Sequence, residues 1–115
     1  MRGDQSVTPV IGVILMVAAA LEVAGDAVIR KGLRGNVFWL IAAGCLILGS
    51  YGVMVNTVKW DFSRLLGVYI AFFAVMSILA GHYIFKETIP AATWIGLAFI
   101  VIGGAVIQLG PMFRR

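Results

Sequence analysis

Four apolar stretches, at about 8–29, 37–58, 65–84 and 91–109, set the terms on which this chain can fold. A helix needs roughly 20 apolar residues to cross the hydrocarbon layer of a bilayer. Inside that layer a helix is the one short segment that satisfies all of its own backbone hydrogen bonds. Four such helices account for nearly all of the 115 residues. The expected fold is therefore all-α, a single four-helix transmembrane domain over residues 1–115. Composition agrees: 62% of residues are hydrophobic, 12% are charged, and the mean hydropathy is +1.04. These values exclude a soluble multidomain enzyme and a collagen-like or disordered chain.

The connections read as Lys31-Gly32-Leu33-Arg34-Gly35-Asn36, Lys59-Trp60-Asp61-Phe62-Ser63-Arg64 and Lys86-Glu87-Thr88-Ile89-Pro90. All are charged and rich in turn or helix-start residues, and their shortness makes successive helices antiparallel. Pro90 suits the first turn of the fourth helix, and Gly110-Pro111 would stop it. Trp39, Trp60 and Trp94 fall near span ends, as in an interfacial aromatic belt. Ala18-Ala19-Ala20 also fits a signal-peptide cleavage region. Asp4 beside Arg2, and apolar sequence continuing past Glu22 to Ile29, favour a retained span instead.

The net charge of +4 and a pI near 9.7 come from bases that flank the apolar runs. They form no stripe with interleaved exposed aromatics, so nucleic acid is not an expected partner. Cys45 is the one cysteine, which leaves no disulfide framework, and no metal-ligand cluster or cofactor motif is visible. No Ser/His/Asp or phosphate-loop constellation points to an enzyme. With both termini on one side, that side carries Arg2, Lys59, Arg64, Arg114 and Arg115; the other carries Arg30, Lys31, Arg34 and Lys86. Five against four is a difference of one, so the Lys/Arg bias that orients membrane proteins is weak here. Insertion in both orientations and a fixed orientation aided by a partner both remain open.

Glu22 lies well inside the first apolar run, with Asp26 and Arg30 following at intervals of four. That spacing places all three on one helix face. A carboxylate at the centre of a membrane helix costs about 2.5–3.5 kcal/mol on insertion scales, so it needs a partner or a water-filled cavity. The structural reading of Glu22 is a protonated group bonding a neighbouring helix. The functional reading is an exchange site: one carboxyl group removed from bulk water can hold a proton or a cationic substrate, not both. Asp26 can pair with Arg30, or it can add negative charge that favours substrates of higher positive charge. Tyr69 and Tyr51 are candidate cavity aromatics for a cation–π contact. His82, near a span end beside Tyr83, needs no special role, the alternative reading being a proton carrier.

In the fourth run, Gly96 and Gly103 stand seven residues apart on nearly one face. Small residues let membrane helices approach closely, within or between subunits. Gly44, Gly49, Ser50 and Gly52 in the second run, with Gly67 and Ala71 in the third, read first as packing positions. Four helices can enclose little, so a substrate pathway requires an oligomer, and two oppositely inserted copies would form an inverted pair around a midplane site.

Leu21-Glu22-Val23-Ala24-Gly25, followed by Arg30-Lys31 and the glycine-spaced fourth helix from Gly96 to Gly104, resembles the small multidrug resistance family. Phe85-Lys86-Glu87-Thr88-Ile89-Pro90, leading through Thr93-Trp94-Ile95 to Gly96, is similar more broadly to the drug/metabolite transporter superfamily. The resemblance implies a dimer, often antiparallel, that exchanges protons for small cationic compounds. It makes Glu22 of each subunit the shared proton and substrate site and puts Gly96 and Gly103 at the fourth-helix dimer contact. Val68-Tyr69-Ile70-Ala71-Phe72 keeps the family's tyrosine at Tyr69 but has Phe72 where a tryptophan is frequent. Asp26 stands where a small neutral residue is common.

The expectation is thus a multi-pass protein of the cell's inner membrane, working as a homodimer in a lipid bilayer and exporting small cations through Glu22, Asp26 and Tyr69. Two rivals stand beside it. One is a flippase subunit in which Arg30, Lys31 or Arg64 attracts an anionic lipid or lipid-linked sugar. The other is a non-transporting membrane subunit whose carboxylates pair with a partner's base.

Overall fold

The first helix extends past its apolar stretch. In the computed structural model, which describes residues 8–110, α1 runs over Pro9–Gly35. Hydropathy falls at Arg30-Lys31, but arginine, lysine and leucine are all good helix formers, so the helix continues into the charged segment expected to be a loop. At 1.5 Å per residue it is about 40 Å long, more than the hydrocarbon layer requires. It stops where Asn36 adopts the left-handed conformation (φ 54°), a region that asparagine tolerates. The Val37 N–H then reaches back to the Gly32 carbonyl at 2.8 Å, and Arg34 places its charge in the last turn.

Helix α2, Phe38–Val55, ends earlier than its apolar run. Side chains just beyond it take up its last carbonyls: Asn56 Nδ2 donates to the Gly52 oxygen at 2.8 Å and Thr57 Oγ1 to the Met54 oxygen at 2.6 Å. Helix α3, Phe62–Tyr83, starts before Leu65 and takes in Phe62-Ser63-Arg64. Helix α4 covers Ala91–Leu109, the expected bounds. Pro90 is its extended N-cap residue rather than part of the first turn, and its carbonyl accepts from the Thr93 and Trp94 N–H groups. The expected stop at Pro111, and the bases Arg2, Arg114 and Arg115, lie outside the described residues.

All four helices are long and apolar enough to cross a membrane. They fall into two units, Pro9–Val58 with α1 and α2, and a second that takes in Lys59–Arg115 with α3 and α4. In the first unit the antiparallel helices meet along a seam of small residues. A Cβ on Gly25 would come within 3.1 Å of the Gly44 oxygen, and one on Gly44 would strike the Ile29 side chain and sit 2.8 Å from the Gly25 oxygen. Further along, a Cβ on Gly32 would meet Ile41 at 2.8 Å. Lipid gives no hydrophobic drive for helix association, so this backbone approach supplies the van der Waals contact that replaces it.

In the second unit Gly104 lies against Ala71, and Gly67 against Ile107. Gly67, Ala71 and Gly44 are packing positions, as their sequence context implied. For Gly49 and Gly52 nothing among the described residues approaches an added Cβ within 4 Å. Between α3 and α4 the Glu87 N–H bonds the Gly81 oxygen at 2.9 Å, and His82 Nδ1 donates to the Glu87 carbonyl at 3.1 Å. Lys86 takes the left-handed conformation (φ 60°) that closes this turn.

Candidate functional site

The buried residues of α1 are Leu15, Ala18, Ala19, Gly25 and Gly32, and of these Gly25 and Gly32 lie against α2. Glu22 falls on the same seam by its spacing from Ala18 and Gly25, and it is half-buried. Each step of four residues turns a helix by about 40° beyond a full revolution. Asp26 and Arg30 are therefore carried progressively away from the seam, and both are exposed. The acidic stripe thus begins at the helix–helix contact and winds outward, so the two carboxylates occupy different surroundings despite sharing a face.

Gly25 and Gly44 bring the α1 and α2 backbones together one turn beyond Glu22. Along the same hairpin runs an apolar groove of about 830 Å³ whose lining includes Ile14, Leu46, Gly49 and Val53. Its hydroxyls are engaged locally: Ser50 Oγ donates to the Leu46 oxygen at 3.0 Å, and Thr57 is bonded as described above. Glu22 and Asp26 are not among its lining residues. Among the described residues no three His, Cys, Asp or Glu side chains group as metal ligands.

Tyr69 belongs to the other hairpin. It is only 3% exposed on α3 and its ring stacks on Phe73 with centroids 6.4 Å apart. Tyr51 is half-buried on α2, and His82 is exposed with its ring edge-on to Tyr83. Trp39 and Trp94 are exposed at span ends, as an interfacial belt requires. Trp60 departs from it: the residue is only 8% exposed, with the Arg64 guanidinium 5.7 Å from its ring centroid. Gly96 and Gly103 are half-buried and exposed, and nothing among the described residues lies within 4 Å of a Cβ added at either.

Sequence reasoning passed over two features. Trp60 and Arg64 read as isolated boundary residues, although their spacing of four, one residue before a helix and one inside it, was a signal of contact. The groove on α2 could have been read from Leu46, Gly49 and Val53, which recur at helical spacing.

A membrane protein of Nocardia farcinica, described as a UPF0060 membrane protein, is 31% identical over 101 residues, covering 86% of this chain and 91% of its own length. The chain belongs to the UPF0060 family of membrane proteins. A second UPF0060 membrane protein, from Clavibacter sepedonicus, is 30% identical over 86% of this chain and 90% of its own. A third, from Herpetosiphon aurantiacus, is 26% identical over 86% and 93%. No protein-family model matches the chain, and no solved structure matches it. The UPF0060 relatives thus agree with a multi-pass membrane protein along nearly the whole described length.

Proposed function

We propose that this UPF0060 protein is a secondary transporter that exchanges protons for small cationic compounds across the cell membrane, acting as a homodimer. The observation that carries this reading is Glu22, a half-buried carboxyl group on the seam of α1, within a helix apolar enough to span a bilayer. Ionisable residues inside membrane spans are costly and mark ion and substrate pathways. The resemblance of Leu21 to Gly25 to the small multidrug resistance family supports the same role.

In the proposed cycle Glu22 holds a proton while the site is empty. A cation of suitable charge and size displaces that proton, because one carboxyl cannot retain both. Asp26, one turn further out, adds negative charge on the route by which a cation approaches. A second copy supplies a second Glu22, and alternating access comes from the two protomers exchanging conformations.

The test is proton release from purified, reconstituted protein as guanidinium, a quaternary ammonium compound or a polyamine is added. Release in the native protein and none in Glu22→Gln is the expected result. Equal release from both would overturn the Glu22 mechanism.

A further inference from the structure

Trp60 and Arg64 lie in the unit of α3 and α4, outside the proposed Glu22 site, and their hydrogen bonding does not close. Trp60 is only 8% exposed, yet its indole Nε1–H is buried with no acceptor among the described residues. The Nε–H of Arg64 is likewise buried without an acceptor. The guanidinium carbon sits 5.7 Å from the Trp60 ring centroid, so both donors belong to one stacked pair. Buried N–H groups are paired in nearly all native structures. Two on a single pair of side chains point to a shared acceptor from outside the chain.

Charge narrows the nature of that acceptor. The described partners of Arg64 are the Gln108 carbonyl and the indole ring, both uncharged, so its positive charge has no counter-anion there. The start of α3 adds to the same field: its first turn holds no acidic residue, and Asp61 provides no side-chain cap. The first backbone N–H groups of a helix favour an anion. Lys59 contributes another exposed positive charge, against the exposed carboxylate of Asp61. Arg64 as a whole is half-buried, so part of its side chain reaches the surface, while its Nε and the Trp60 Nε1 are enclosed and open to a ligand only when a side chain rotates.

Position narrows it further. Trp60 falls between the end of one candidate span and the start of the next, and Arg64 in the first turn of the latter, the depth at which lipid headgroups meet the protein. We propose that Trp60 and Arg64 form a binding site for a phosphate group, supplied by the headgroup of an anionic phospholipid. Arg64 neutralises the phosphate and donates from Nε, and the Trp60 indole donates a second hydrogen bond. This site is independent of the transport reading.

The experiment is native mass spectrometry of the full-length protein in detergent, titrated with phosphatidylglycerol or phosphatidylcholine, with and without millimolar inorganic phosphate. Native protein should retain phosphatidylglycerol in preference to phosphatidylcholine, and inorganic phosphate should not displace it. Trp60→Phe keeps the ring and removes only the N–H, and it should weaken retention by about tenfold, the loss of one good hydrogen bond. Arg64→Gln should weaken it at least as much, with helix content by circular dichroism confirming that both variants fold. Unchanged retention in folded Trp60→Phe, or equal retention of the two lipids, would overturn the site. Displacement by inorganic phosphate would overturn the lipid as its source.

Discussion

The guanidinium of Arg64, in the first turn of α3, donates from Nη2 to the main-chain oxygen of Gln108 in the last turn of α4 at 2.5 Å. The bond does more than join two antiparallel helices. It places a positive charge on a carbonyl at the negative end of the α4 dipole, where the last carbonyls have no partner within the helix.

Losing that tie should destabilise the α3–α4 hairpin. A hydrogen bond to a charged group is worth about 1.5–3 kcal/mol when partly buried, so Arg64→Ala is expected to lower stability by about that amount. Unfolding by SDS titration, followed by helical circular dichroism, measures it. Gln108→Leu keeps the backbone acceptor and should preserve this bond. A loss in Arg64→Ala of less than a few tenths of a kcal/mol would show that the tie contributes nothing.

Glycines on α2 should divide into two kinds. Gly44 packs against the Gly25 backbone and Ile29, so Gly44→Ala must push the helices apart, at a cost of about 1–3 kcal/mol. Gly49 has open space among the described residues, and Gly49→Ala should stabilise α2 by up to about 1 kcal/mol through helix propensity. The same unfolding titration gives both signs. Opposite or equal effects would contradict the seam described for α1 and α2.

Much of this architecture was legible in the sequence, because apolar length alone identifies membrane helices. The bounds of α4 agree, since Pro90 punctuates its start. The bounds of α1 and α3 do not, and for one reason: hydropathy locates the membrane, whereas a helix ends where its backbone is capped. Arg30-Lys31 and Phe62-Ser63-Arg64 are polar enough to leave the hydrocarbon and helical enough to continue. For the candidate site, periodicity placed Glu22, Asp26 and Arg30 on one face. It did not show that the stripe winds off the seam, because that depends on which face of α1 meets α2. Trp60 was hidden for a similar reason: a tryptophan at a span end reads as interfacial until the residue stacked on it is known.

The different surroundings of the two carboxylates predict different transport phenotypes. Glu22→Gln should abolish proton-coupled uptake of every cation, because the exchanging group is gone. Asp26→Asn removes a charge on the exposed part of the stripe and should reduce transport of dications more than monocations. Uptake of a labelled diamine and a labelled quaternary ammonium ion into proteoliposomes, driven by a pH gradient, separates the two. Equal loss for both cations in Asp26→Asn would remove the charge-selective role of Asp26.

Two neighbouring glycines of α4 provide the sharpest test of the proposed dimer. Gly104 is buried against Ala71 within its own hairpin, whereas Gly103 is exposed and Gly96 has no described neighbour within 4 Å of an added Cβ. A face that carries small residues and meets nothing within the hairpin is suited to close approach by another helix. Gly104→Leu should therefore lower the stability of the protomer itself. Gly96→Leu and Gly103→Leu should leave helix content and protomer stability nearly unchanged but shift dimer to monomer, read by cross-linking and by light scattering in detergent. If both of the latter variants remain as dimeric as the native protein, the α4 face is not the contact, and the second Glu22 must be brought to the site by another surface.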